Sequence, residues 1–356
     1  MIASERHILI LILLACVLTT GCSSDDESVE EGSVAISFAA VSVEADDSGV
    51  QTRTGDSREL LSMRNTGFSV FASHNAATTL DFMYCQEVAY TQPHYPDVSA
   101  HWHYTPLKYW PVPVGTLHFH AFAPYAPQTT TDTGQTGVIG VGATTGSSPV
   151  PQVRYRTALS AADVANLLYA SADVTTPSLT LTFRHALARV GITMKLAAEP
   201  AAGTRVLLES ISLESKAETP IARTAICTLG PTPTWSGHAT EPTRTFTFSN
   251  DPASATDYAS LLGDVRYVPT LPAKWQPNPG LTTTAVNVIT LGDYAAYLYL
   301  IPQAELTFTC TTRYRICTSG AETLSDTQTK SFDVTLSGAQ ALAVGRTINL
   351  NLTLTP

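Results

Sequence analysis

Apolar residues in this chain recur at every second position, stretch after stretch, and that period limits what it can fold into. Near the end, Ile348, Leu350, Leu352 and Leu354 alternate with Thr347, Asn349, Asn351, Thr353 and Thr355. One edge of such a segment is apolar and the other polar, the pattern of a half-buried strand. The same alternation runs through Phe68–Val70–Ala72, Leu117–Phe119–Ala121, Leu179–Leu181–Phe183, Ile211–Leu213, Leu298–Leu300 and the run from Leu306 to Ile316. Many short strands bury their apolar faces by packing sheet on sheet, so an all-β fold of sandwich type is predicted. An early strand carries Val34, Ile36, Phe38 and Ala40 on one face, with Ser33, Ala35 and Ser37 opposite. The phase then flips at Val41 and Val43, which predicts a β-bulge near Ala39–Ala40.

Interruptions divide the pattern. Ser160 to Asp163 reads as a capping box variant, and Val164, Leu167 and Leu168 share a helical face, so one short helix is expected there. Loops rich in proline and glycine are expected at 123–151, 230–243 and 268–282. Gly137, Gly140 and Gly142 fall in the first of them and open no helix, so they are no phosphate cradle. The chain from Cys22 to Pro356 exceeds the usual size of one core, and two domains are expected. The break is placed near Thr176–Pro177, giving units 54–177 and 178–356.

The first residues predict export. Ile8 to Leu18 is an unbroken apolar run, too short to span a bilayer but suited to a secretory signal. It leads to Thr19-Thr20-Gly21-Cys22, a cysteine after small residues, where bacterial lipoproteins are cut and acylated. Residues 1–21 are therefore read as signal peptide, with lipid on Cys22; the acidic stretch after Cys22 resembles the signal that sends Bacteroidales lipoproteins to the outer face of the outer membrane, which implies anchoring there. Asp25, Asp26, Glu27, Glu30 and Glu31 make the following stretch a solvated tether, within a segment 22–53 that also carries the early strand. No later apolar run is long enough to cross a membrane. Only 14% of residues are charged and the formal net charge is −10. That argues for strands over helical bundles and against nucleic-acid binding, which needs cationic stripes to replace phosphate counterions.

Few residues suggest site chemistry. His101-Trp102-His103 and His118-Phe119-His120 each project two imidazoles from one strand face, a set that could hold zinc, copper or nickel if the strands were neighbours. They are read here as half-exposed strand histidines, with no metal and no cofactor. His185 is in phase with Leu181 and Phe183 and is read as a core histidine. Trp102, Tyr104, Tyr109 and Trp110 could stack on a sugar or belong to the core. Cys85, Cys227, Cys310 and Cys317 allow three disulfide pairings, and Cys310 and Cys317, on opposite faces of one strand, cannot bond to each other. No G-x-S-x-G, H-E-x-x-H or paired-carboxylate signature is present, so the chain is read as a non-enzyme.

Several landmarks in order resemble the fimbrillin (minor-fimbria-like) family of Bacteroidales surface proteins. The early strand is followed by Thr52-Arg53-Thr54, then by Lys108-Tyr109-Trp110-Pro111 and Leu117-His-Phe-His-Ala-Phe-Ala-Pro124-Tyr125. Leu167-Leu168-Tyr169-Ala170 is similar to the helix closing the family's first domain, and Phe183-Arg-His185-Ala-Leu-Ala-Arg-Val190 to the strand opening its second. Leu300-Ile-Pro-Gln303 and Gly345-Arg-Thr-Ile-Asn-Leu-Asn-Leu352 complete the series.

The resemblance implies two transthyretin-like β-sandwich domains and a structural or adhesive role, as tip, stalk or anchor, in type V pili at the cell surface. It implies cleavage by an arginine-specific protease, for which Arg53 is the fitting residue. Loss of the first strand, with Val34, Ile36, Phe38 and Ala40, would then let a strand from another fimbrial subunit fill the gap. The alternating segment Ile348, Leu350, Leu352 and Leu354 has the pattern of such a replacement. Stalk subunits are expected to carry strand material beyond it, so an end at Pro356 fits a tip or an anchor, or a mobile last strand. A different class remains open: a surface lipoprotein that binds a host or bacterial glycan or protein without polymerising.

Overall fold

The computed structural model describes residues 34–44, 58–92, 99–111, 115–157, 166–249, 280–288, 290–291, 294–295, 297–318, 323–324 and 327–356. In chain order the first half holds β1 (Ser37–Val43), helix α1 (Arg58–Thr66), β2 (Phe68–His74), β3 (Met83–Thr91), β4 (His101–His103), β5 (Leu117–Ala123), β6 (Gly137–Ala143), β7 (Pro151–Arg156), β8 (Leu168–Val174) and β9 (Ser178–His185). The second half holds β10 (Ala188–Leu196), β11 (Thr204–Ser215), β12 (Ile221–Thr228), β13 (Thr234–Glu241), β14 (Thr245–Ser249), β15 (Val286–Asn287), β16 (Thr290–Leu291), β17 (Tyr294–Ala295) and β18 (Leu298–Leu300). It ends with β19 (Gln303–Thr318), β20 (Thr323–Leu324), β21 (Gln328–Leu342) and β22 (Thr347–Leu354). The fold is all-β, as the alternation requires.

The first body is a seven-stranded sheet in the order β1-β9-β8-β5-β2-β3-β4. Its central strands are apolar on both faces, and the two faces feed different cores. Phe68, Val70 and Ala72 of β2 join Phe119, Ala121, Leu181 and Phe183 in one. Phe71 and Phe122 face the other way, onto Val153, Tyr155, Ala225 and Cys227 of a second sheet, β13-β12-β7-β6. Two stacked sheets with a shared core make a sandwich.

The second body packs β10, with β15, β18 and β22, against a sheet of β14, β11, β19, β20 and β21. Val190, Ile192 and Met194 of β10 meet Leu208, Ile211, Leu306 and Phe308 in its core.

The sheet β13-β12-β7-β6 takes two strands from each half of the chain, so the halves are stitched together. The break expected at 177/178 lies just before β9. Ser178–His185 is hydrogen-bonded to β8 and β1 in the first sheet, and the chain passes to the second body between β9 and β10.

Other expectations also change. Leu168 to Ala170, expected in a helix, begin β8, a central strand whose residues are paired with β5; the residues 158–165 lie outside the described set. The helix that is described, α1, lies earlier, where Leu60 and Met63 reach the first core. Gly137, Gly140 and Gly142 lie on β6, and most of 230–243 is β13, so two expected loops contain strands. Short or glycine-rich strands lack apolar alternation of their own and are held by their neighbours.

Candidate functional site

The element that merits attention as a site is β1, because it is a terminal strand inserted at the margin of a finished sheet. Its seat is β9, whose Leu179, Leu181 and Phe183 point into the core while Ser178, Thr180 and Thr182 face out. β1 lies parallel to β9, with Phe38 opposite Leu179, Val41 opposite Leu181 and Val43 opposite Phe183. Ala39 drops out of the ladder, since register shifts between Phe38 and Ala40. The bulge therefore stands where the phase flip in the sequence put it.

Just before β1 the chain touches the opposite margin of the sheet. The Ile36 N–H donates to the Lys108 carbonyl and the Trp110 N–H to the Val34 carbonyl, both at 2.9 Å. Lys108 to Trp110 follow β4, the last strand at that margin, so β1 links the two ends of the seven-stranded sheet. The Tyr104 hydroxyl, buried beneath, donates to the Ile36 carbonyl at 3.0 Å. Burial raises the Tyr104 phenol above its ordinary pKa and keeps it a donor.

Phe38 makes the main apolar contact of the strand. Its ring meets Phe68 and Tyr104 edge-on, each with centroids 5.6 Å apart. Ile36 is 2% exposed and Phe38 6%, while Val41 and Val43 are only partly buried. Val34, at 56% exposure, and Ala40, also exposed, do not belong to the buried face expected of them. The bulge turns Ala40 outward and brings Val41 inward in its place, a consequence of the extra residue. At the far end the Glu44 N–H donates to the Phe183 carbonyl at 2.8 Å, and the Glu44 carboxylate pairs with Arg184 at 3.0 Å in the open. Residues 45–57, which include Arg53, lie outside the described residues, as does Cys22.

The other terminal strand, β22, is seated differently. It runs parallel to β10 in unbroken register, Ile348 opposite Val190, Leu350 opposite Ile192, Leu352 opposite Met194 and Leu354 opposite Leu196. All four of these apolar side chains are buried in the second core.

The histidines and aromatics are not gathered. β2 and β3 separate β5 from β4, so His118 and His120 do not lie on a strand neighbouring His101 and His103. His118 Nδ1 lies 2.7 Å from Asp173 instead. Burial holds His120 at a pKa of about 4, opposed in part by Asp173. His185 is a buried, hydrogen-bonded core residue, with Asn166 at Nδ1 and the Arg189 guanidinium donating to Nε2 at 3.0 Å. Burial first, then the Arg189 charge, bring it down to about 3. Tyr104 and Trp110 belong to the core, and Trp102 packs on Phe68 and Tyr90, so these residues do not form one exposed platform. Cys85, Cys227 and Cys310 are buried free thiols; burial lifts Cys227 to about 12. The Cys317 side chain is outside the described residues.

A two-bodied β-sandwich whose first sheet is closed by its own N-terminal strand is the class defined by this geometry. Residues 52–356 match the fimbrillin-like family, and the chain belongs to it. A search of curated proteins finds no match. Among solved structures, a fimbrial protein from Bacteroides vulgatus is similar in fold, with a TM-score of 0.60 at 18% identity over 90% of this chain and 95% of that one. A candidate cell adhesion protein from Bacteroides uniformis aligns over 91% and 95% of the two chains, at 13% identity and a TM-score of 0.45.

Proposed function

We propose that this chain is a subunit of cell-surface fimbriae, tethered through lipid on Cys22, that becomes competent for assembly when cleavage after Arg53 allows β1 to be replaced by a strand of another subunit. Its work on this reading is binding and assembly, not catalysis. The observation that carries the reading is the seating of β1: an edge strand on β9 that fills an apolar slot without lying between two strands of its own sheet. Emptying the slot exposes backbone donors and acceptors along β9 together with the Phe38 pocket, which is what an added strand recognises. Membership of the fimbrillin-like family supports the same reading, as does the fimbrial protein of like fold from Bacteroides vulgatus.

The test is limited digestion of the exported chain with an arginine-specific protease, followed by gel filtration with and without a partner strand. The expected result is a discrete product starting at Thr54 that retains the fragment ending at Arg53 and exchanges it for the added strand. Degradation of the whole chain, or a product that takes up no strand, counts against assembly and favours a surface lipoprotein that binds glycan or protein as a monomer. Anchoring is checked separately: Cys22→Ala is expected to abolish palmitate labelling and membrane retention.

A further inference from the structure

Strand order parts the two histidine pairs, and the pairs are left in different states. On β5, His120 is buried and His118 holds Asp173 through Nδ1 at 2.7 Å. On β4, at the margin of the first sheet, His101 and His103 are both exposed. Two residues apart on one strand, they rise from the same face, with ring centroids 5.7 Å apart. Between them Trp102 turns the other way, its ring 5.0 Å from that of Phe68 and 4.9 Å from that of Tyr90, and pins the strand with its histidine face outward. Among the described residues, neither imidazole is paired with a carboxylate, as His74 is with Asp81 and His118 with Asp173.

We propose that His101 and His103 together chelate one divalent transition-metal ion through their Nε2 atoms, copper most tightly, with water filling the other positions. The Nδ1 contacts carry this assignment. His101 Nδ1 lies 2.7 Å from the Ser99 carbonyl, which can only accept, so that nitrogen bears the proton. In the neutral ring the lone pair is then on Nε2. His103 Nδ1 lies 3.0 Å from the Thr91 hydroxyl, which can accept in the same way. One ring nitrogen donating to a protein oxygen while the other is left for the ion is how ligating histidines are oriented at metal sites. Ala89, opposite His103 in the ladder, is a small neighbour and leaves the approach open. Imidazole suits copper, nickel and zinc, and copper is held tightest in the divalent series. Among the described residues no group of three or more His, Cys, Asp or Glu could hold a metal, so the affinity is that of a two-point chelate. The site stands on β4 and does not depend on β1 leaving its seat.

The experiment titrates Cu2+ into the exported chain by calorimetry, alongside His101→Gln, His103→Gln, the double variant and His118→Gln. The first three change only exposed side chains, so their thermal transitions are expected to match the wild type. One ion is expected per chain. Each single variant should weaken binding by about a hundredfold and the double variant by no more than that, because a chelate is lost with either arm. His118→Gln should leave the affinity unchanged, and Zn2+ should bind the wild type more weakly than Cu2+. Losses that add from the single variants to the double would mean two independent one-point contacts and would overturn the chelate. Copper binding that survives the double variant at full strength, or that His118→Gln weakens as much as His103→Gln does, places the ion elsewhere and overturns it too.

Discussion

The two terminal strands, β1 on β9 and β22 on β10, are the same device built to different standards. Both are edge strands, both run parallel to the strand that holds them, and both turn alternate apolar residues inward. β22 keeps register throughout and buries Ile348, Leu350, Leu352 and Leu354. β1 loses Ala39 from its ladder, buries Ile36 and Phe38, and leaves Val41 and Val43 half covered. On the reading proposed above, one inserted residue separates a strand that belongs to its core from one that its core can release. Edge pairing leaves backbone groups on one side to solvent in either case, so apolar side chains and ladder continuity decide how firmly each is kept.

The sharpest way to break this contrast is a charge under β22. Leu350 faces the second core beside Ile192, and Leu350→Asp would bury a carboxylate with no partner, which costs several kcal/mol or prevents folding. The expected outcome is loss of the cooperative thermal transition of the second body by circular dichroism. A variant that melts like the wild type would show that β22 is no more integral than β1.

Phe38→Ala should behave differently. Truncating a buried phenylalanine ordinarily costs about 3–5 kcal/mol. If β1 is replaceable as proposed, the loss is capped by what β1 itself contributes, because the strand comes away and leaves the rest folded. Global stability in urea is expected to fall less than for Leu350→Ala, which should lose about 2–5 kcal/mol. Hydrogen exchange should speed up mainly at the amides of Leu179 to Phe183. Equal global losses for the two alanine variants would erase the distinction between the strands.

How much of this contrast was legible in the sequence depended on whether the signal was local. The alternation of Ile348 to Leu354 and of Leu179 to Phe183 is a property of each segment, and both are strands. The bulge was legible too, because a phase flip inside one strand leaves its mark in that strand. The partners were not. Whether His101 and His103 lie beside His118 and His120 depends on strand order, which no single segment encodes. The place of β9 at the edge of the first sheet, beside its sequence neighbour β8, leaves its other side to β1, far away in sequence. Ala40 faces outward for a narrower reason: continuing the period through a bulge puts the residue after it on the wrong face. Val34 lies before the bulge, in phase with Ile36 and Phe38, and is exposed at the start of the segment. The Leu167–Leu168 pair reads equally as helix or buried strand, an ambiguity that periodicity alone cannot resolve in a short apolar run.

Acid is expected to weaken the molecule near the junction of the two seats. His185 ends β9, Arg189 lies at the start of β10, and the Arg189 N–H donates to the carbonyl of Arg346, next to β22. His185 and His120 have pKa values pushed down to about 3 and about 4 by burial. Unfolding lets them take up protons near 6.5, so the unfolded chain binds more protons than the native one below that pH. Stability is full above about pH 6.5 and falls progressively as pH drops toward 4. Urea midpoints at pH 7.5, 5.5 and 4.5 check the slope, and His120→Asn should flatten part of it. A stability that rises between pH 7.5 and 5 would contradict the neutral, buried state of both rings.

The smallest expected effect concerns the end of β1, where Glu44 pairs with Arg184 across the β9 margin. Both side chains are more than half exposed, so water and salt screen the attraction and the pair is worth about 0–1 kcal/mol. Removing it with Glu44→Gln should change global stability in urea by no more than about 0.5 kcal/mol. Its influence on β1 should be easier to see, because all of that small energy acts on one detachable strand. After cleavage at Arg53, the residence time of labelled β1 is expected to shorten about twofold in low salt. In about 0.5 M salt, where the Debye length falls to a few ångströms, the variant and the wild type should release the strand at the same rate. A Glu44→Gln effect that persists undiminished in high salt would mean that Glu44 holds β1 by packing or backbone geometry rather than by charge. The Glu44 N–H bond to the Phe183 carbonyl, which the substitution leaves in place, would then be the contact to test next.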